Sequence, residues 1–231
     1  MIIAIDGPTA SGKGTVAKML ATKLGFLCLD TGACYRAITV FFLKNGIDHT
    51  NPESYIPALE ELEVFARCNP DGSVSLFIND EDITERLRDN EVSVCVPHIA
   101  HLPEVRVKVR KIQHKIAELN NGLVCEGRDT TSVVFPNADF KFYLDAKLNV
   151  RAYRRYMQLR SSGENIPLSQ IKREIIARDE ADMTRAESPL IRVKDAIYIN
   201  CSRQSPHKTV ERLFKIITKR IKNQISSGFS R

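Results

Sequence analysis

An apolar run, Ile2 to Ile5, ends in Asp6, and the next nine residues read GPTASGKGT. The spacing Gly7-x4-Gly12-Lys13 matches the phosphate-cradling pattern G-x-x-x-x-G-K-[ST] up to the lysine. Gly14 then stands where the hydroxyl belongs, and the hydroxyl arrives one place later, at Thr15. Glycines let backbone N–H groups turn inward as an anion nest, and a helix starting at Lys13 would offer its N-terminus to the same anion. Gly7, Pro8, Thr9, Ala10, Ser11, Gly12, Lys13, Gly14 and Thr15 are therefore expected to hold a nucleoside triphosphate. Lys13 would follow the charge developing on the transferred phosphoryl group. Thr15 lies in the first helical turn, where its hydroxyl or an ordered water can serve magnesium.

Four further stretches carry the arginines and carboxylates of a second anion site. LDTGACYR puts Thr31 and Arg36 where a strand gives way to a helix, a hydroxyl and a guanidinium fork for phosphate. PEVR puts Arg106 near a helix N-terminus, where the dipole favours anions. EGRD puts Glu126, Arg128 and Asp129 just past an apolar strand, the edge at which α/β sheets bind ligands. A carboxylate in that position, Glu126, can approach magnesium. ARDEADMTR sets Arg178, Asp182 and Arg185 at i, i+4 and i+7, on one face of a helix. Singly, Arg36 reads as a surface residue and the last triplet as an exposed ion-pair ladder; together they describe a pocket.

The elements that must position these groups alternate along the chain. Short apolar strands are expected at 2–6, 26–30, 123–125, 140–144 and 196–199. Helices are expected at 13–24, from Thr31 to near Asn45-Gly46, and at 52–65, 103–121, 148–160 and 168–182. A last helix follows at the C-terminus. This alternation predicts βαβ units and a parallel sheet, hence an α/β fold. One stretch, CNPDGSVSLFINDEDIT, changes character: turn residues flank a short alternating run, Val74 to Ile78, which predicts a small β insertion.

At 231 residues, 43% hydrophobic and 27% charged, the chain has the make-up of an ordinary globular domain. No apolar run approaches the ~20 residues of a membrane span. Met1 leads straight into a strand-like run without a basic leader segment, so no secretory signal is expected and the expected compartment is the cytoplasm. Cys28, Cys34, Cys68, Cys95, Cys125 and Cys201 show neither C-x-x-C nor Cys/His pairing and read as small hydrophobes. The net charge of +6 is local. Residues 201–231 hold eight basic residues and one acid, Glu211, while the first 200 hold 26 basic and 27 acidic residues. There Val210, Leu213, Phe214, Ile217, Ile221 and Ile225 recur at helical spacing, so the lysines form the solvated face of an amphipathic helix.

GKGT is similar to the loop of nucleoside monophosphate kinases, and the N-K-x-D of GTPases is absent. In chain order, GPTASGKGT, LDTGACYR, PEVR, EGRDTTSVVFPNAD and ARDEADMTRAESPL resemble the bacterial cytidylate kinases, from Met1 to about Arg220. The resemblance implies the P-loop nucleoside monophosphate kinase fold, a five-stranded parallel sheet flanked by helices in a single domain, 1–231. Within it, 36–100 would bind CMP and include a small β insertion at about 66–90, and 158–190 would form a lid. It implies transfer of the γ-phosphate of ATP to CMP or dCMP with magnesium, held by Thr15 and Glu126. Lys13, Arg128, Arg178 and Arg185 would be catalytic. Thr31 and Arg36 would hold CMP, with Arg106 on its phosphate and Arg128 and Asp129 reading cytosine. Asp182 would meet the sugar and Arg178 and Arg185 the phosphates. The implied partners are these small molecules, not nucleic acid or membrane, and the default is a monomer.

Four positions depart from the family pattern. Pro97 replaces a base-binding serine, which Ser93 or His98 would compensate; Thr131 replaces a glycine, Glu126 an aspartate and Ala181 a lid arginine. Two alternatives stand further off. A small-molecule P-loop kinase, such as a shikimate or gluconate kinase, would be shorter and lack the insertion with the GRD…VVFP segment. A non-enzymatic nucleotide- or nucleic-acid-binding regulator would work through the basic C-terminal helix and show strongly salt-dependent binding.

Overall fold

The computed structural model describes residues 1–69 and 74–228, with side chains to residue 223. Five strands, β1 (Ile2–Asp6), β2 (Leu27–Asp30), β6 (Leu123–Gly127), β7 (Phe140–Asp145) and β8 (Ile197–Asn200), form one sheet in the order β2-β6-β1-β7-β8. Every neighbouring pair in it is parallel. The two sheet faces are buried in different cores, which is why the strands read as continuous apolar runs. Leu27, Leu29, Leu123 and Cys125 face a core built with α2 (Thr31–Asn45) and α5 (Pro103–Glu118). Ile3, Ile5, Val124, Phe142 and Leu144 face the opposite core, shared with α1 (Lys13–Leu24) and α8 (Pro206–Gly228).

α8 docks on α1 through Val210, Leu213 and Ile217, all buried. Each buried side chain of this kind contributes roughly 1.5–3 kcal/mol, so that apolar seam fixes the helix in place. Lys208, Arg212, Lys215 and Lys219 remain on its exposed face. No helix among the described residues is long and apolar enough to cross a membrane.

The insertion forms a three-stranded antiparallel sheet, β3 (Val64–Cys68), β4 (Val74–Ile78) and β5 (Glu81–Asp82). Of the turn residues expected before Val74, 70–73 lie outside the described residues. The expected helix 52–65 ends early: α3 covers Pro52–Glu61, and Val64 and Phe65 belong to β3. The local pattern is helical there, but Phe65 stacks on Phe77 across the strand pair, ring centroids 5.3 Å apart, and the long-range pairing prevails.

A helix not expected from the sequence, α4 (Asn90–Ile99), follows the insertion. Its run of β-branched residues and Pro97 argue against helix, yet Val92 and Ile99, seven residues apart, are both buried where α4 meets α2. The remaining helices, α6 (Leu148–Ser161) and α7 (Leu168–Thr184), pack against each other around Ala152, Leu159, Ile171 and Ile175.

Candidate active site

β1 delivers the chain into a tight loop at the carboxyl edge of the sheet. A Cβ at Gly7 would lie 2.0 Å from the carbonyl oxygen of Leu144 on β7, so this position accepts only glycine. The loop turns through a Ser11 N–H to Pro8 C=O bond of 3.3 Å, with Ala10 in the left-handed region at φ 57°. α1 then starts at Gly12 with no side-chain cap, which leaves its first N–H groups for an anion.

Lys13 is buried, its Nζ 3.4 Å from Pro8 C=O and 4.0 Å from Glu126 Oε2. Burial, followed by the Arg128 guanidinium, lowers its pKa to about 8. Burial also raises the Glu126 carboxyl to about 7, against the pull of Lys13. At Gly14, where the pattern places a hydroxyl, a Cβ would lie 3.3 Å from Glu126 Oε1, so the carboxylate sits close against the start of α1.

Two cavities lie beside this loop. One, of about 490 Å3, is lined by Ser11, Gly12, Thr15, Arg154, Gln158, Gln204 and Thr209 among others. The other, of about 320 Å3, is lined by Lys13, Asp30, Thr31, Tyr35, Arg36, Arg106, Glu126, Arg128, Asp129, Arg178, Asp182 and Arg185, with Val96 and Ala100 on one wall. The second cavity therefore brings together every acceptor-site residue expected from the sequence. Of the two magnesium candidates, Glu126 lines this cavity and Thr15 the other.

Within this second cavity four of the five arginines are balanced by the chain's own oxygens. Arg128 Nε donates to Asp182 Oδ2 at 2.6 Å. Arg106 donates to Asp129 Oδ2 at 3.3 Å and to Ala100 C=O at 3.2 Å, over the Tyr35 ring. Arg185 lies 3.7 Å from Asp129 and 3.9 Å from Asp182, and its Nε donates to Ser188 C=O at 2.7 Å. Arg36 donates to Leu87 C=O and to Ser93 Oγ. Arg178 is exposed on the cavity wall with no ion pair among the described residues. Thr31 Oγ1 donates to Glu126 C=O at 2.9 Å, at the strand-to-helix switch that Asp30 caps through Gly32 N–H. Burial raises the Asp129 carboxyl, and Arg185 and Arg106 oppose that rise.

The helical triplet needs correction. α7 ends at Thr184, and Arg185 has left the helix at φ −59°, ψ 140°. It reaches the cavity from the turn that returns through a Leu190 N–H to Asp182 C=O bond of 2.7 Å, not from the helical face shared by Arg178 and Asp182.

Of the four departures, Thr131 has a clear use. Asp6, wholly buried, accepts from Thr130 N–H, Thr131 N–H and Thr131 Oγ1, the last at 2.6 Å, and so anchors the π turn Thr130–Val134 behind Asp129. Pro97 is exposed, and Val96 and Ala100 line the cavity in its stead. Ser93 is engaged by Arg36, and the His98 ring lies 6.5 Å from that of His49. Ala181 is exposed.

Sequence reasoning missed Asp6, Tyr35, Arg151, Arg154, Asp179 and Gln204. Arg154 donates to Ser11 C=O and Cys201 C=O, joining the phosphate loop to the β8–α8 connection. Arg151 and Arg154 carried a signal, since both lie in the basic stretch 148–160, but helical charge alone does not say what it faces.

A strand, phosphate loop and helix at the carboxyl edge of a five-stranded parallel sheet, with an arginine-lined cavity beside the loop lysine, define a P-loop phosphotransferase of the kinase type. A crystal structure of an uncharacterized protein from Eubacterium ventriosum ATCC 27560 has this fold, with TM-score 0.52 and 13% identity over 94% of this chain and 98% of that one. The family model for cytidylate kinase matches residues 3–219, and the chain belongs to the cytidylate kinase family. It is 40% identical to a cytidylate kinase of Streptococcus pneumoniae (strain 70585) over 91% of this chain and 94% of that protein. It is 39% identical to one of Carboxydothermus hydrogenoformans (strain ATCC BAA-161 / DSM 6008 / Z-2901), over 94% and 97%. The small-molecule kinase and regulator alternatives are not favoured.

Proposed function

We propose that the chain transfers the γ-phosphate of ATP to CMP or dCMP, giving ADP and CDP or dCDP. The observation that carries this reading is the convergence of Arg36, Arg106, Arg128, Arg178 and Arg185 with Asp129 in one cavity that also contains Lys13. ATP lies with its nucleoside in the 490 Å3 cavity and its phosphates on Gly7 to Thr15. CMP occupies the other cavity, so the two phosphates approach each other at Lys13.

Transfer asks for in-line positioning and for neutralisation of charge on the transferring group. Lys13, Arg128, Arg178 and Arg185 supply both. The attacking oxygen belongs to a phosphate already ionised at neutral pH, so no general base is required. Thr31, Arg36 and the lid arginines hold the acceptor phosphate, and Asp182 the sugar. The Asp129 carboxylate accepts the exocyclic amine of cytosine, where uracil would oppose it with a carbonyl. Arg106, assigned to the acceptor phosphate, also holds this carboxylate in place.

Glu126 in one cavity and Thr15 in the other offer hard oxygens on the two sides of the loop lysine, which suit magnesium with water and phosphate oxygens completing its shell. Magnesium, when bound, adds charge neutralisation on the triphosphate. Residues 36–100 act as the acceptor-binding region and 158–190 as a lid, in one domain that works as a cytoplasmic monomer on small molecules, without nucleic acid or membrane.

The direct test is ADP release with ATP, magnesium and a panel of CMP, dCMP, UMP, AMP, GMP and shikimate. Fastest turnover with CMP and dCMP is expected. A different preferred acceptor would keep the kinase and overturn the assignment of Asp129, and no turnover with any of them would overturn the reading.

A further inference from the structure

The phosphate loop is gripped from outside by residues that line neither cavity. Arg151 on α6 and Asp179 on α7 are both buried, and Arg151 Nη1 donates to Asp179 Oδ2 at 2.5 Å. Between them sits the backbone of Thr9. Its N–H donates to Asp179 Oδ1 at 2.8 Å and its C=O accepts from Arg151 Nη1 at 2.9 Å. The three contacts close a ring around a single residue of the loop. A second nitrogen of Arg151, Nε, donates to Ala146 C=O at 2.9 Å and ties the ring to the end of β7. The Thr9 hydroxyl accepts from Arg128 Nη2 at 3.3 Å, so its side chain is held by the acceptor cavity as well.

We propose that Arg151 and Asp179 are a positioning pair for the phosphate loop: by holding both polar groups of the Thr9 backbone they set the loop for ATP and make its geometry depend on the seating of α7. Three physical points support this. A buried ion pair adds little net stability over apolar residues of similar volume, so its presence is better explained by the geometry it imposes. The grip falls next to Ala10, whose left-handed backbone is costly for a residue with a Cβ and persists only where the surroundings over-determine it. Finally, the Thr9 N–H is directed at Asp179, outside both cavities, so its bond to the carboxylate serves the shape of the loop and not direct contact with phosphate.

The proposal rests on the phosphate loop binding ATP but not on the identity of the acceptor. The test compares two double variants that both remove the ion pair. Arg151→Met with Asp179→Leu leaves Thr9 N–H without its acceptor; Arg151→Met with Asp179→Asn keeps an amide oxygen for it. Calorimetry with magnesium and a non-hydrolysable ATP analogue reads the donor site, thermal melting reads the fold, and CMP kinetics read turnover. The leucine variant, which loses both bonds to the Thr9 backbone, is expected to weaken analogue binding by about 100-fold, the effect of losing two hydrogen bonds to charged groups at the loop. The asparagine variant, which loses only the Arg151 bond to Thr9 C=O, is expected to weaken it by about tenfold. The KM for CMP should hold while that for ATP rises. Equal affinity in parent and leucine variant, or equal weakening in both variants, would overturn the proposal and leave a structural brace. If the leucine variant does not fold, Arg151→Met with Asp179→Ala takes its place. A parent that binds the analogue but ignores CMP would overturn the acceptor reading alone, and a parent that does not bind it would overturn both.

Discussion

The Lys13–Glu126 contact makes donor binding depend on pH in a defined direction. Burial raises Glu126 from 4.5 to about 7, so ionising it in the free protein costs roughly 3 kcal/mol more than in water. Burial and Arg128 bring Lys13 down from 10.5 to about 8. Between these values the free site holds an ionised carboxylate and a cationic lysine, the forms that the proposed magnesium and triphosphate roles require. On the proposed role of Glu126 beside magnesium, below about 7 a proton must leave the carboxyl first, and each further pH unit weakens binding by up to about tenfold. Above about 8 Lys13 is neutral, and affinity falls with a similar slope.

The same shift acts on stability. Glu126 retains its proton in the fold at pH values where the unfolded chain has lost it, so its contribution to unfolding free energy declines as pH rises from 4.5 to about 7. Calorimetry of magnesium and an ATP analogue from pH 5.5 to 9.5, on parent and Glu126→Gln, separates the protein's titration from that of the nucleotide. The parent should lose affinity at about pH 6 by roughly tenfold more than the variant does. Identical acid limbs in the two proteins would refute the reasoning.

Three substitutions test the acceptor site and its support. Asp129→Asn should lower kcat/KM for CMP by about 10- to 100-fold, the worth of a hydrogen bond to a charged acceptor, and raise the ratio of UMP to CMP turnover; an unchanged ratio would remove Asp129 from base reading. Arg185→Ala, which removes a guanidinium 3.7 Å from Asp129 and 3.9 Å from Asp182, should cut kcat by about 100- to 1000-fold with melting temperature nearly unchanged; near-normal turnover would exclude it from the transfer step. Thr131→Gly leaves Asp6 two backbone donors of three and should lower the melting temperature by about 2–4 °C per kcal/mol lost, with activity retained; an unshifted melt would show that the hydroxyl bond contributes nothing.

Much of this protein was legible in one dimension because its decisive signals are local. The phosphate loop is local: Gly7, Gly12 and Lys13 lie within seven consecutive residues, and the strand and helix they need are adjacent in sequence. The apolar strands of the parallel sheet were readable because both faces are buried, and the edge of the pocket because Thr31 and Arg128 directly follow strands. Separate motifs pointed to one pocket through family resemblance, but their distances could not be read. What tertiary structure decided were the contacts between segments more than a hundred residues apart. Asp6 holding Thr131, Arg151 and Asp179 holding Thr9, and Lys13 meeting Glu126 all require strands and helices to be stacked first. Tertiary pairing also reversed two local tendencies, drawing Val64 and Phe65 out of a helical pattern and folding the β-branched Asn90–Ile99 run into a helix. The pKa shifts belong to the same level, since a carboxylate and an ammonium change their proton affinity only when the fold removes water from around them.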